Sequence, residues 1–356
     1  TKSIFLQRGG SANLAKLIQE RGGKSVLIVT DPGVLSAGLL EKSLSGFKSA
    51  GLPLQIFSDV QADPPISVIN NAVRVAQEYG ADFIVGFGGG SSMDVAKLVA
   101  LLALGKEKLA DIYGVDMVKG PRLPLILVPT TAGTGSEATK SSVVTVSESE
   151  KKGVLSPHLL PDLALLDAEL TLGLPPHVTA ATGIDAMVHA IEAFTTKRLK
   201  NPMADCLAKE ALRLLSGNLH KVVNAGNDIV ARENMLLGAC LAGMAFANAP
   251  VAGVHALAYP IGARFHVPHG LSNSLVLESV LRFNLEVAHP MYAELGQIIK
   301  PGLSGTTMDQ ASSLIDYLGG LAGELGLPKR LVEVGITAND VNQLASDAML
   351  QTRLLM

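Results

Sequence analysis

Through the first half of the chain, short apolar runs alternate with amphipathic ones. LAKLIQERGG spaces its apolar residues three and four apart and ends in glycines, which predicts a helix. KSVLIVTDPG is instead a continuous apolar run closed by a turn, the mark of a buried strand. The alternation continues with GLLEKSLSGFKSAG as helix, LPLQIFSDV as strand and SVINNAVRVAQEYG as helix. ADFIVGFGGG then reads as a strand with a Gly-rich turn, MDVAKLVALLALG as helix, and LPLILVPTTAGTGSE as a strand with a second Gly/Thr turn. Strands alternating with helices of about 10–15 residues predict βαβ units and a parallel sheet covered on both faces. SSVVTVSESEKKGVLS reads as a β-hairpin with a polar tip, and LLPDLALLDAEL as a last strand. From Pro175 onward the Val/Ile-rich runs give way to long Ala/Leu/Met helices that continue to Met356. The boundary is therefore placed near 174–178, with an α/β domain over 1–175 and an all-helical domain over 176–356.

Composition narrows the class. A net charge of −3 over 356 residues offers no field for nucleic acid or an anionic membrane surface. Apolar residues make up 48% of the chain, but charged, Gly or Pro residues interrupt each run before the roughly 18 residues of a membrane span. No charged n-region with an apolar core opens the chain, and the two cysteines, Cys206 and Cys240, cannot form a disulfide framework. The expectation is a cytoplasmic globular protein without a membrane or nucleic-acid partner. Because the chain begins without Met and stops after LQTRLLM, one or both ends are expected to be incomplete.

Candidate chemistry gathers in two places. In open parallel sheets ligands bind beyond the carboxyl ends of the strands, and Asp31, Gly88 to Ser92 and Thr130 to Ser136 are all predicted there. GFGGGSSMDVAK lets backbone approach a ligand closely and presents helix N-terminal N–H groups to a pyrophosphate. Its spacing is not G-x-G-x-x-G, and as a bare turn it is as readily structural. The same holds for PTTAGTGSEAT taken alone; two such loops at one sheet edge favour a phosphate site. Asp31 can accept from a ribose diol and repel a 2′-phosphate, favouring NAD, although Asp-Pro-Gly turn chemistry also accounts for it.

The second place is GIDAMVHAIE. Asp185 and His189 stand four apart, on one face of a helix. With His255 and His269 from VAGVHALAYPIGARFHVPHG they complete a set of one carboxylate and three imidazoles. A lone His in an apolar helix is more often a core residue, but this set suits Fe²⁺ or Zn²⁺ and is too nitrogen-rich for Ca²⁺ or Mg²⁺. His266 is a rival ligand, while His158, His177, His220 and His289 read as surface or turn residues.

Together GGGSSMDVAK, PTTAGTGSEAT, LPDLALLDAEL with PPHVTAATGIDAMVHAIEAF, and NAPVAGVHALAYPIGARFHVPHG resemble the iron-dependent (group III) alcohol dehydrogenases, in the right order and over nearly the whole chain. The resemblance implies a Rossmann-like dinucleotide-binding domain, an all-α domain and a catalytic cleft between them, the architecture shared with dehydroquinate synthase. It implies Fe²⁺, with Zn²⁺ as the alternative, on Asp185, His189, His255 and His269. It implies NAD contacts at Asp31, Gly90, Ser91, Thr130, Thr131, Thr134 and Lys152, to which the Gly-rich turn adds Gly88 and Gly89, an apolar cleft position at Phe246, a homodimer, and a small alcohol or aldehyde substrate. His255 and His269 would act in catalysis. Where the family commonly has a second His in the VHALAY segment this chain has Tyr259, which implies an altered substrate range or proton route rather than loss of metal. The chain also stops short of the family's usual final helix.

Four other readings make different demands. A glycerol dehydrogenase would use fewer protein ligands, and a maleylacetate reductase none. A dehydroquinate-synthase-like lyase needs a set of cations for a polyanion, and the 183–193 and 246–270 segments contain only Arg264. A non-catalytic dinucleotide-binding regulator has no use for four metal ligands.

Overall fold

A twisted parallel sheet and a bundle of helices divide the chain. The structure is a computed structural model that describes residues 1–146 and 151–355. Its backbone clusters into two compact units, Thr1–Thr131 with Ser136–Gly173, and Ala132–Gly135 with Leu174–Met356.

The first unit carries strands β1 (Ser3–Leu6), β2 (Val26–Val29), β3 (Leu54–Phe57), β4 (Phe83–Gly88), β5 (Gly114–Val115), β6 (Leu125–Pro129), β7 (Ser141–Thr145), β8 (Lys151–Leu155) and β9 (Leu163–Leu166). Six form a sheet in the order β1-β9-β6-β4-β2-β3, with every recorded pairing parallel. Each residue of β2, β4, β6 and β9 is buried, which is why these strands read as unbroken apolar runs rather than alternating ones. Burying each Val, Leu, Ile or Phe contributes about 1.5–3 kcal/mol. Helices α1 (Leu14–Gln19), α2 (Pro32–Ser36), α3 (Glu41–Ala50), α4 (Ile66–Tyr79) and α5 (Gly90–Leu102) complete the unit. One apolar core joins α4 and α5 to the sheet, and a second joins α1 and α3 to it.

The connection from β2 goes outward to β3 and then returns to β4 on the opposite side of β2. That reversal is a topological switch point, and it opens a crevice at the carboxyl ends of β2 and β4. Two strands escaped the sequence reading. The four-residue β1 pairs with β9 at the sheet edge, and the two-residue β5 pairs with β8; neither is long enough to show a period. The β7–β8 hairpin is present, antiparallel from Ser141↔Leu155 to Thr145↔Lys151. Its polar tip lies outside the described residues.

The second unit is helical: α6 (Pro176–Thr195), α7 (Pro202–Asn224), α8 (Ile229–Asn248), α9 (Gly253–Phe265), α10 (His269–Ile299), α11 (Thr307–Glu324) and α12 (Val341–Met349). Helix α6 is its axis, packed against α7, α8 and α10. Eleven of the fifteen residues from Ala180 to Phe194 are Ala, Ile, Val, Met, Phe or Gly, and the stretch Gly183–Phe194 is buried all round, as a helix without a polar face must be. Among the described residues α8 is the one helix long and apolar enough to cross a membrane, by length and composition only. It packs on α6 and α7, and 56% of its 18-residue apolar stretch is buried inside the structure.

Candidate metal centre and dinucleotide loops

Helix α6 places three polar residues in its buried stretch: Asp185, His189 and Glu192, at 2%, 5% and 3% exposure. A charged side chain in such a place needs partners, and two other helices supply them. His255 comes from the first turn of α9 and His269 is the first residue of α10. Pro268, extended before His269, starts α10 abruptly. Gly270 then lets α10 touch α6: a Cβ there would stand 2.3 Å from the Ala181 carbonyl oxygen and 3.3 Å from Asp185 Cβ. Only a residue without a side chain fits, and its neighbour His269 is thereby brought over Asp185.

The Nε2 atoms of His189, His255 and His269 lie 3.9, 4.0 and 3.7 Å from Asp185 Oδ1, and one ligand atom from each of the four residues falls within 4.8 Å of all the others. These separations are too long for hydrogen bonds. They are close to the roughly 3.4 Å that separates two tetrahedral ligands each about 2.1 Å from one ion. Burial lowers the His189 imidazole to about 3, outweighing the pull of Asp185, so His189 is neutral at pH 7 and keeps a lone pair to give. Burial raises the Asp185 carboxyl, yet the three imidazoles and the Asn273 amide together hold it below its ordinary value. One carboxylate and three imidazoles, closely set and not bonded to one another, fit a divalent transition ion.

Two further residues support the set. Asn273, one turn after His269, donates from Nδ2 to Asp185 Oδ1 at 2.6 Å and lies 3.3 Å from both His255 Nε2 and His269 Nε2. Glu192 accepts from Val254 N at 2.7 Å and sits 2.6 Å from His255 Nδ1. Sequence reading missed both, although the helical spacing that paired Asp185 with His189 also reaches Glu192, three residues on, and pairs His269 with Asn273.

Aromatic rings wall the cluster. Phe246 stacks on His189 at 4.5 Å and His189 on His255 at 4.7 Å, while Tyr259 stacks on His269 at 5.9 Å. His269, at 37% side-chain exposure, is the open member of the set. His266 ends α9 in the left-handed conformation and is outside the cluster. His158 and His177 are exposed, and His220 and His289 half-buried. Arg264 is engaged by Asp347, which leaves that segment without a free cation for a polyanionic substrate.

At the switch point of the first unit, Asp31 follows β2, Gly88 ends β4 and Gly89 caps α5, which opens on Gly90 and Ser91. Thr130 follows β6, and its N–H donates to the Gly88 carbonyl at 3.0 Å. A Cβ on Gly88 would meet Asp31 Oδ2 at 2.9 Å and Ser92 Oγ at 2.7 Å, so glycine is what lets these loops close up. Asp31 caps α2 by accepting from Val34 N at 3.0 Å on Oδ1, and its Oδ2 accepts from Ser92 Oγ at 2.9 Å. The turn chemistry is therefore real, and one lone pair on each oxygen remains for a ligand. Thr131 lies beside Gly89, a Cβ on which would be 3.8 Å from Thr131 Oγ1. Thr134 is in the Ala132–Gly135 segment, which clusters with the helical unit. Lys152 is on β8, its ammonium 5.6 Å from the ring centre of Tyr113.

A doubly wound sheet with backbone loops at its switch point, and a helical unit with an Asp/His₃ cluster, define the class of dinucleotide-linked, metal-dependent oxidoreductases. The family model described as iron-containing alcohol dehydrogenase matches residues 1–168, and that of the Fe-containing alcohol dehydrogenase family, C-terminal, matches 179–356. The chain belongs to the iron-containing alcohol dehydrogenase family. It is 39% identical to long-chain-alcohol dehydrogenase 1 of Geobacillus thermodenitrificans over 98% of this chain and 88% of that one. A crystal structure of a 1,3-propanediol oxidoreductase superposes with a TM-score of 0.94 at 34% identity, covering 98% and 91%. The sulfoacetaldehyde reductase of Bifidobacterium kashiwanohense, solved with NAD⁺, superposes at 0.87 with 27% identity, covering 97% and 90%.

Proposed function

We propose that the protein interconverts a small primary alcohol or polyol and its aldehyde with NAD(H), using Fe²⁺ held by Asp185, His189, His255 and His269. The observation that carries this reading is the convergence of those four side chains within 4.8 Å. When bound, the ion supplies a Lewis acid for the substrate oxygen. Zn²⁺ binds such a set more tightly in the first-row order, so availability decides between the two. His269 and Tyr259 border the open side of the cluster, where the substrate oxygen enters, and the Phe246 ring keeps His189 from water. Tyr259 is the candidate to carry the hydroxyl proton, as a donor and acceptor rather than as a strong base.

In this reading Gly88, Gly89, Gly90 and Ser91 hold the pyrophosphate at the α5 N-terminus. Asp31 takes the adenosine ribose, and Thr130, Thr131, Thr134 and Lys152 make the remaining dinucleotide contacts. The domain division at 175/176 separates the dinucleotide-binding from the metal-binding part. A reducing cytoplasm is supported by Cys206, exposed, and Cys240, buried, neither of which is in a disulfide. A homodimer is supported by Phe283 and Val287, 88% and 72% exposed and one turn apart on α10.

The test is NADH oxidation against a panel of short aldehydes with protein stripped of metal and reloaded with Fe²⁺, Zn²⁺ or nothing. Activity is expected only with metal, and Asp185→Asn should abolish it while NADH binding persists. Metal-independent turnover would refute the reading and favour the maleylacetate-reductase type.

A further inference from the structure

Glu192 is not one of the four clustered residues, yet it is 3% exposed and bonded on both oxygens. Both of its partners come from the first turn of α9. Val254 N, an N–H with no carbonyl a turn earlier to receive it, donates to Oε1 at 2.7 Å. The second oxygen, Oε2, stands 2.6 Å from His255 Nδ1. A carboxylate only accepts, so His255 must carry its proton on Nδ1. Its Nε2 then presents a bare lone pair toward Asp185 Oδ1, 4.0 Å away.

From this geometry we infer that Glu192 is a positioning residue of the metal centre, which fixes the tautomer of His255 and makes the buried site charge-neutral. The inference rests on the proposed ligand set. Asp185 alone leaves a divalent ion with one uncompensated positive charge, and Glu192, one residue removed through the imidazole, supplies the second negative charge. Partners of this kind, set behind a ligating imidazole, raise its basicity and hold its ring plane.

Glu192→Gln separates this role from mere packing, because it keeps the shape and removes one acceptor. Val254 N–H claims the single amide oxygen. The amide NH₂ then faces His255 Nδ1, which becomes the acceptor, and the imidazole proton moves to Nε2, pointing into the site. Zn²⁺ affinity, measured by competition with a chromophoric chelator on the stripped full-length protein, should fall about 10–100-fold. Nitrogen-15 NMR of the imidazoles should show the His255 proton on Nδ1 in the parent and on Nε2 in the variant. Unchanged NADH binding and a cooperative melting transition in chelator show that the variant is folded. Zn²⁺ affinity equal to the parent's in a folded E192Q overturns the inference, as does an Nε2–H His255 in the parent protein, which needs no variant. His255→Ala guards the premise: if it too retains the parent's affinity, the ligand set itself is wrong, whereas loss in H255A alone singles out the Glu192 role as the error.

Discussion

Lys97 is the most deeply buried cation of the sheet unit, at 0% exposure in α5. Its ammonium donates to Ser136 Oγ at 2.7 Å, Ser141 O at 2.8 Å and Thr139 Oγ1 at 3.1 Å, and faces Asp94 Oδ1 at 3.4 Å. Asp94 in turn accepts from Ser136 Oγ at 2.6 Å and Val143 N at 2.9 Å. The network thus ties the helix that opens on Gly90 to the segment that runs into β7. Burial lowers the Lys97 ammonium from its ordinary range, and Asp94 and Glu137 only partly restore it. Lys97→Met keeps the length of the stem and removes the charge. Breaking a buried pair by deleting one partner costs about 3–5 kcal/mol. Asp94 retains 18% side-chain exposure, so water screens what is left behind and about 2–4 kcal/mol is expected. For a unit of this size that is a melting-temperature drop of roughly 4–16 °C. D94N/K97M should lose less than the sum of the single variants, because the second change removes the stranded charge. The assay is thermal unfolding of the four proteins, with NADH KM and kcat measured below the transition. K97M should raise KM for NADH more than it lowers kcat. A K97M protein within about 0.5 kcal/mol of the parent would refute the reasoning.

Three further outcomes follow from other parts of the structure. Asp31→Ala should raise kcat/KM for NADPH relative to NADH by about 10-fold or more, the worth of a charge-assisted contact; steady-state kinetics with both coenzymes decide it, and an unchanged ratio removes Asp31 from the ribose site. Gly270→Ala forces a Cβ to 2.3 Å from the Ala181 carbonyl, so α10 must shift, at about 1–3 kcal/mol of stability and with weaker Zn²⁺ binding in chelator competition. Asp162 is held at about 2, because Arg122, Lys2 and Leu125 N bond its carboxylate strongly enough to overcome burial. A depressed carboxyl stabilises the fold above its unfolded value near 3.8 and loses that contribution as pH falls through the folded value. The parent's melting temperature should therefore drop more steeply than that of Asp162→Asn between about pH 4 and pH 2, and parallel curves would count against the assignment.

The sheet was legible because its inner strands β4, β6 and β9, with β2, are buried throughout while a helix such as α4 buries one face, which writes two different patterns into the chain. The edge strand β1 escaped because SIFL is only partly buried and four residues hold no more than two repeats. The site was half legible. Asp185 and His189 announce themselves on one helix face, and so could Glu192 and Asn273 have done by the same spacing, had polar residues in buried helices been followed beyond the first pair. That His255 and His269 join Asp185 depends on helix crossings, above all the contact allowed by Gly270. Asp31 shows the limit of single-motif reasoning: cap and candidate ligand are one carboxylate using different lone pairs.

Between Gly183 and Phe194, helix α6 sets two carboxylates and a neutral imidazole in an otherwise apolar stretch that is buried throughout. In the absence of a cation that arrangement opposes folding, and a bound ion reverses the sign. Occupancy and foldedness are therefore thermodynamically linked, with each tenfold rise in free metal above its dissociation constant worth about 1.4 kcal/mol to the native state. The consequence is a built-in inspection step: protein that fails to acquire its ion is the less stable population, in the very unit where catalysis is proposed to occur, and is open first to proteolysis.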